Sequence, residues 1–251
     1  MIGEARDLTK AHLLLDYDGT LVPLAQSPEL AAPDDELMAI LGRLASAPWI
    51  ELDLASGRAR ETLETWFGHL PMSLWAEHGF WHRPAPRRSW RSAAAIAPDW
   101  MASVLPILEA FAASTPGARI ETKHAGIAWH FRGAPSELGA CQADALYKVL
   151  VDLLRDQPLE VLPGKKVIEV RFRGHNKARV ARHRQSEGIE RLTIAFGDDR
   201  TDEDLFRALP HSSITVAVGQ QLIGAKYVVA DHRAVRRILQ SLLALPLETL
   251  S

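Results

Sequence analysis

This chain of 251 residues has a single cysteine, Cys141, so no internal disulfide can staple it and an ordinary apolar core must hold it. No apolar run approaches the roughly 18 residues of a membrane span. Charge imbalance is nearly absent too. The formal net charge of −2 gives no reason to expect nucleic acid or a membrane as partner. No internal repeat and no low-complexity tract interrupts the sequence. Met1–Lys10 carries Glu4, Arg6, Asp7 and Lys10 and does not read as a secretory leader. Together with the lone cysteine, this leads us to expect a cytoplasmic protein. What is present is ordinary for a globular chain: 47% hydrophobic and 24% charged residues, enough for one large domain or two small ones.

The apolar runs are short and stop at polar or turn-forming residues. His12–Leu15 stops at Asp16, Ile50–Ala55 at Ser56-Gly57, and Leu192–Phe196 at Gly197-Asp198. Ser213–Val218 stops at Gly219 and Tyr227–Ala230 at Asp231. Buried parallel strands read this way. Helical patterns over Asp35–Ala45, Ala59–Gly68 and Asp202–Leu209 lie between them. The alternation predicts an α/β fold with a doubly wound parallel sheet.

The middle of the chain breaks this rhythm. Pro84, Pro86, Arg87 and Arg88 read as a linker. A helical stretch (Asp99–Ala113), two strands (Arg119–Thr122 and Gly126–Phe131) and a helix (Ser136–Asp156) follow. Leu159–Leu162 and Lys166–Phe172 read as two further strands. The expected organisation is a core of 1–83 and 173–251, interrupted by a self-contained α+β insert at 84–172.

In open α/β sheets, ligands bind beyond the carboxyl ends of the strands; three segments there carry chemistry, and a lysine at a helix start is a fourth candidate. The first is Asp16-Tyr17-Asp18-Gly19-Thr20. Residues i and i+2 of an extended strand share a side, so Asp16 and Asp18 are expected to face one pocket. One carboxylate can attack phosphorus while the other manages the leaving group's proton. Asp-x-Asp-Gly is also good turn chemistry. At roughly one in twenty per position, however, D-x-D-G-T arises by chance only about once in 10⁵ positions.

In Ser56-Gly57-Arg58, the Ser56 hydroxyl and nearby N–H groups can hold phosphoryl oxygens at a helix N-terminus, or Ser56 can simply cap that helix. Lys177 opens a basic helix, Ala178–Gln185. It can be surface charge, or it can neutralise phosphoryl charge in a transition state. Asp198 and Asp199 directly follow a strand, whereas Thr201, Asp202 and Glu203 fit solvated helix-capping residues. Clustered carboxylates raise one another's pKa unless a cation sits between them. Oxygen-only ligands select a hard ion, for which Mg²⁺ is the natural choice.

In this order, D-x-D-G-T, Ser56, Lys177 and Gly197-Asp198-Asp199, the chain resembles the haloacid dehalogenase-like phosphatase superfamily. More narrowly, it looks like the trehalose-6-phosphate phosphatases. That likeness rests on Ala76-Glu77-His78-Gly79, on Glu121-x-Lys123 with His130-Phe131-Arg132, on Gly164–Val170, and on Gly197-Asp198-Asp199-x-Thr201-Asp202-Glu203. It implies a Rossmann-like core with a small cap inserted between the second and third motifs. It also implies Mg²⁺-dependent hydrolysis of trehalose 6-phosphate through an aspartyl-phosphate.

Carried over by residue, Asp16 matches the nucleophile and Asp18 the general acid/base, with Ser56 and Lys177 at phosphate-binding positions. Asp16, the Asp18 carbonyl and Asp198 match metal ligands, with Asp199 nearby. Arg58, Glu121, Lys123, Arg132, Lys165 and Glu169 match substrate-binding positions, most of them on the cap, which would close and exclude water.

Two positions depart from the family pattern: Ala178 replaces a glycine and Phe172 a proline. Unaided by the likeness, Glu121 and Lys123 also fit a cross-strand ion pair on a solvated sheet. His130 alternates with Trp129 and can be a satisfied core histidine. Rival expectations are a phosphatase of sucrose, glucosylglycerol or mannosylglycerate phosphate, a phosphohexomutase, and an inactive regulatory domain. The expected partner is a small sugar phosphate bound by a single copy of the chain.

Overall fold

A computed structural model describes residues 5–25, 28–86, 88–95, 100–186 and 189–244. Met1–Glu4 of the N-terminal segment, Arg87 of the linker and Asp99 lie outside the described residues. The chain divides into two compact units, Met1–Ala93 with Asn176–Ser251, and Ala94–His175.

The first unit opens with β1 (Ala5–Leu15), α1 (Asp35–Ser46), β2 (Ile50–Ala55), α2 (Arg60–Phe67), β3 (Ser73–Ala76), β4 (Trp81–Arg83) and β5 (Arg91–Ser92). The second contains α3 (Leu105–Ala113), β6 (Arg119–Thr122), β7 (Gly126–His130), α4 (Ser136–Leu153), β8 (Leu159–Gly164) and β9 (Val167–Phe172). The first unit then resumes with α5 (Ala178–Gln185), β10 (Ile189–Gly197), α6 (Arg200–Ala208), β11 (Ile214–Val218), β12 (Tyr227–Val229) and α7 (His232–Leu242).

Its eight-stranded sheet runs β12-β11-β10-β1-β2-β3-β4-β5. All neighbours from β12 to β3 are parallel, while β4 and β5 pair antiparallel, so the sheet is mixed at one edge. Strand β5 pairs Trp81 with Ser92 and His82 with Arg91. The Pro84–Arg88 stretch therefore joins two paired strands of the core sheet, and the second unit begins at Ala94 rather than at 84.

Side chains alternate across β1. Leu13 and Leu15 pack with Leu37, Leu41, Leu63, Phe67, Val235 and Leu239 on one face. Leu14 packs with Val180, Ala181, Leu205 and Phe206 on the other. Helices α1, α2 and α7 thus cover one face and α5 and α6 the opposite one. The chain leaves β1 toward β2 and β3, then resumes on the far side at β10, which makes the gap between β1 and β10 the topological switch point.

The second unit is an antiparallel sheet, β6-β7-β9-β8, backed by α3 and α4. Ile127, Trp129, Ile168 and Val170 pack against Leu108, Leu146 and Leu150. Trp129 takes the inward position, so its neighbour His130 faces the other way and is not a core histidine. Phe172 lies edge-on to Trp100 at 5.2 Å and packs against this core, a contact proline could not make. Among the described residues no helix is long and apolar enough to cross a membrane.

Candidate active site

Strands β1 and β10 end side by side, Leu15 opposite Phe196. The Asp16 N–H donates to the Phe196 carbonyl at 3.1 Å, which carries the pairing one residue past the strand. Oδ1 of Asp16 accepts from Lys177 Nζ at 2.6 Å, and the same ammonium donates to Asp202 Oδ1 at 2.7 Å. Oδ2 of Asp16 is buried without a hydrogen-bond partner. Carboxylate oxygens of Asp16, Asp198 and Asp202 lie within 4.8 Å of one another, all three side chains buried.

Burial raises the pKa of Asp16, opposed by Lys177 and reinforced by Asp199. Burial likewise pushes Asp202 well above its ordinary value, again against Lys177. For Lys177, burial works against the charge, but Asp16, Asp202 and Asp199 outweigh it and hold the group as an ammonium. One ammonium among these carboxylates leaves negative charge in excess, and one oxygen of Asp16 is left without a hydrogen-bond partner. An all-oxygen donor set of this charge fits a hard divalent ion such as Mg²⁺.

Glycines permit the crowding. Gly19 has φ +84°, and a Cβ there would lie 2.2 Å from Asp198 Oδ2. A Cβ on Gly197 would lie 2.2 Å from Asp202 Cγ. Helix α6 starts between these acids. Asp199 is its N-cap, and its Oδ1 accepts from the Thr201 N–H at 2.8 Å and hydroxyl at 2.7 Å. Asp202 Oδ2 completes the capping box, accepting from the N–H groups of Asp198 at 3.0 Å and Asp199 at 3.2 Å.

The two acids therefore sit differently from the sequence expectation. Asp202 is no solvated cap: it is fully buried and joins Asp16 and Asp198, because four residues of helix return it to the strand end. Asp199 is engaged with Thr201 and lies outside that three-acid group. Burial alone would raise its pKa, but Lys177 and Thr201 bring it below the ordinary value.

Asp18 faces a different partner from Asp16. Past the end of β1 it bridges Val22, and its carboxylate meets Arg58 at two points, 2.8 Å from Nε and 2.6 Å from Nη2. The guanidinium lies over Trp66 at 4.7 Å and Tyr17 at 5.4 Å. Ser56 is buried, and its Oγ accepts from the Arg58 N–H at 3.2 Å. It does not cap α2, whose N-cap is Ala59 with no side-chain bond. The Glu77-His78 backbone is left-handed, φ 49° and 57°, and lays the His78 ring where a Gly57 Cβ would meet it at 2.6 Å.

In the second unit, pairing lines up Glu121, Ala128 and Glu169 across three strands. Lys123 Nζ donates to Glu169 at 3.1 Å, and His130 Nε2 lies 2.8 Å from Glu121 Oε2. Burial raises the Glu121 pKa, but Lys123 and His130 bring it below the ordinary value. Arg132 instead donates to the Lys165 carbonyl at 2.9 Å, at the end where Phe131 bonds Lys166. Apart from Arg58, which pairs with Asp18 in the first unit, the expected substrate-binding residues thus form two groups along the sheet of the second unit. His130 belongs with the first; the sequence groups its segment with Glu121 and Lys123 but assigns His130 no role of its own.

Comparison with known proteins adds a family. The trehalose-phosphatase family profile matches residues 14–236. The chain is 41% identical over 230 residues, 92% of its length, to the bifunctional trehalose-6-phosphate synthase/phosphatase of Thermoproteus tenax. It is 34% identical over 218 residues, 78% of its length, to the trehalose-phosphatase of Saccharomyces cerevisiae. It spans only 31% and 24% of those two relatives.

Among solved structures, the C-terminal domain of C. albicans trehalose-6-phosphate phosphatase superposes with a TM-score of 0.88 at 31% identity, covering 95% of this chain and 94% of that one. A haloacid dehalogenase-like hydrolase from Bacteroides thetaiotaomicron, 16% identical, shares the fold at TM-score 0.65 over 93% of this chain and 99% of its own. The sequence match, the α/β core and the structural neighbours agree: this chain belongs to the trehalose-phosphatase family.

Proposed function

We propose that the chain hydrolyses trehalose 6-phosphate to trehalose and phosphate, with Asp16 as nucleophile and Mg²⁺ as cofactor. The observation that carries this reading is the Asp16 carboxylate, one oxygen held by Lys177 and the other buried without a partner beside Asp198 and Asp202. Family membership supports the phosphomonoester class. Asp16 attacks phosphorus in line, and the bond from phosphorus to the sugar oxygen breaks. Asp18, protonated at the start of the cycle, gives its proton to that departing oxygen. It then takes a proton from the water that attacks the aspartyl-phosphate, which releases phosphate and regenerates Asp16.

Asp16, Asp198, Asp202 and the Asp18 carbonyl would hold Mg²⁺, with Asp199 supporting their turn. When bound, the ion neutralises charge on the phosphoryl oxygens. Lys177 and Ser56 bind those oxygens from the protein side, and Arg58 orients Asp18. In the second unit, Glu121, Lys123 and Glu169, together with Arg132 and Lys165, supply charged partners for sugar hydroxyls. A cytoplasmic protein acting as a single chain completes the reading.

The test is phosphate release from trehalose 6-phosphate, sucrose 6-phosphate, glucosylglycerol phosphate and glucose 6-phosphate, with and without chelator. A preference in kcat/KM of about 100-fold or more for trehalose 6-phosphate is expected, lost on chelation. Comparable rates on all four esters would defeat the sugar assignment. Rates indifferent to chelator would defeat the metal.

A further inference from the structure

Asp53 lies outside the proposed chemistry, yet it is a fully buried carboxylate in the middle of β2. Its Oδ1 accepts from Trp75 Nε1 at 2.7 Å, and its Oδ2 accepts from Arg184 Nε at 2.8 Å and from His12 Nε2. Arg184 Nη2 is also 2.8 Å from that oxygen and donates to Ser73 Oγ at 3.3 Å. Burial opposes the charge on Asp53, but Arg184 and His12 outweigh it, so the group is a carboxylate.

Arg184 sits in the last turn of α5, and Lys177 is that helix's N-cap. Seven residues make nearly two full turns, so the two side chains leave the same face of α5, about 10 Å apart along its axis. Ala181 lies between them on that face and is buried in the core beside Leu14 and Ala55. One end of this face meets Asp16 and Asp202 through Lys177; the other meets Asp53 through Arg184. Val180 and Ala181 pack in the core layer beside Leu14, and the other polar ties of α5 run elsewhere, from Arg179 to the Gly79 and Phe80 carbonyls and from Gln185 to the Ala208 carbonyl; Arg184, on Asp53 and Glu51, is what ties the helix to β2. Asp53 also lies three residues before Ser56, which directly follows the end of that strand.

We infer that Asp53 is a positioning residue: through Arg184 it sets the register of α5 against β2, and so the placement of Lys177 relative to Ser56 and Asp16. This rests on the proposed roles of Lys177 and Ser56 in binding phosphate. A shift of the order of 1 Å at such a distance suffices to slow a reaction by one to two powers of ten.

The experiment uses the full chain, with kcat and KM for trehalose 6-phosphate and the melting midpoint measured for each variant, well below every midpoint. Asp53→Asn is expected to lower kcat about tenfold with KM changed less than threefold, while Leu239→Ala in the opposite core layer matches its melting loss and keeps kcat. The double variant Asp53→Asn/Arg184→Gln removes both buried charges, so the midpoint recovers. Its kcat stays low, because a neutral pair does not hold the register. Recovery of kcat together with the midpoint, or kcat within twofold of the unmodified protein in Asp53→Asn, would overturn the inference. Lys177→Ala tests the underlying reading separately: full activity there would remove the role of Lys177 and leave the Asp53 result to stand as a stability effect alone.

Discussion

Asp18 and Arg58 form a two-point ion pair, with both carboxylate oxygens facing the guanidinium at 2.8 and 2.6 Å. Arg58 is packed on Trp66 and mostly buried, so it is the fixed member and Asp18 the oriented one. Lysine keeps the charge but lacks the planar fork. Arg58→Lys is therefore expected to lower kcat/KM for trehalose 6-phosphate by about tenfold or more, corresponding to roughly 1.4 kcal/mol or more of transition-state stabilisation. Steady-state kinetics would decide it, and an unchanged value would remove Arg58 from the orientation of Asp18.

The excess of buried carboxylate around Lys177 predicts that a divalent ion stabilises the fold. At a hundred times its dissociation constant, a ligand adds about 2.7 kcal/mol, and that raises the melting midpoint by roughly 5–10 °C in a chain of this size. Mg²⁺ should produce such a rise in the unmodified protein and a much smaller one in Asp198→Asn and Asp202→Asn. Equal rises in all three would place the ion elsewhere.

Acid should weaken the fold partly through Asp53. Its folded pKa lies below the ordinary 3.8, since Arg184 and His12 outweigh the effect of burial. A carboxyl shifted down contributes stability at all pH values above its unfolded pKa and loses that contribution as pH falls through the folded one. Urea unfolding of the unmodified protein should therefore lose stability from about pH 4 downward, by up to about 1.4 kcal/mol per pH unit for this one group. Asp53→Asn should start lower and fall less steeply over the same range. Parallel slopes would show that Asp53 is not charged in the fold.

On the proposed function, Lys123 and Glu169 serve the sugar and not the phosphoryl group. Lys123→Ala should raise KM for trehalose 6-phosphate by about tenfold or more, given that charge-assisted hydrogen bonds contribute around 1.5–3 kcal/mol. Hydrolysis of p-nitrophenyl phosphate, which has no sugar, should change less than twofold. A parallel loss on both substrates would make the Lys123–Glu169 pair a structural tie.

The strand-ending acids were legible because a buried parallel strand reads as a short apolar run, and whatever follows it is delivered to the switch point. Ile50–Ala55 was readable to the residue. Strand β3 was not, because four residues, Ser73–Ala76, are too few to show a pattern. The β4–β5 pairing was hidden behind prolines that mark a turn as readily as a linker. Asp202 looked like a capping acid and is one; what local sequence could not reveal is that the helical turn also returns it to Asp16 and Lys177. Asp53 had a faint signal, a second carboxylate two residues after Glu51 in an otherwise apolar strand. Its partner Arg184 lies 131 residues away and emerges only when α5 packs on the sheet.

The central claim is that Asp16 attacks phosphorus. Its most direct test is phosphate release from trehalose 6-phosphate by purified Asp16→Asn in saturating Mg²⁺, with circular dichroism matching the unmodified protein. The rate is expected to be lower by about 10³-fold or more, as removal of a covalent nucleophile requires. Release within tenfold of the unmodified rate, from protein free of contaminating phosphatase, would contradict it.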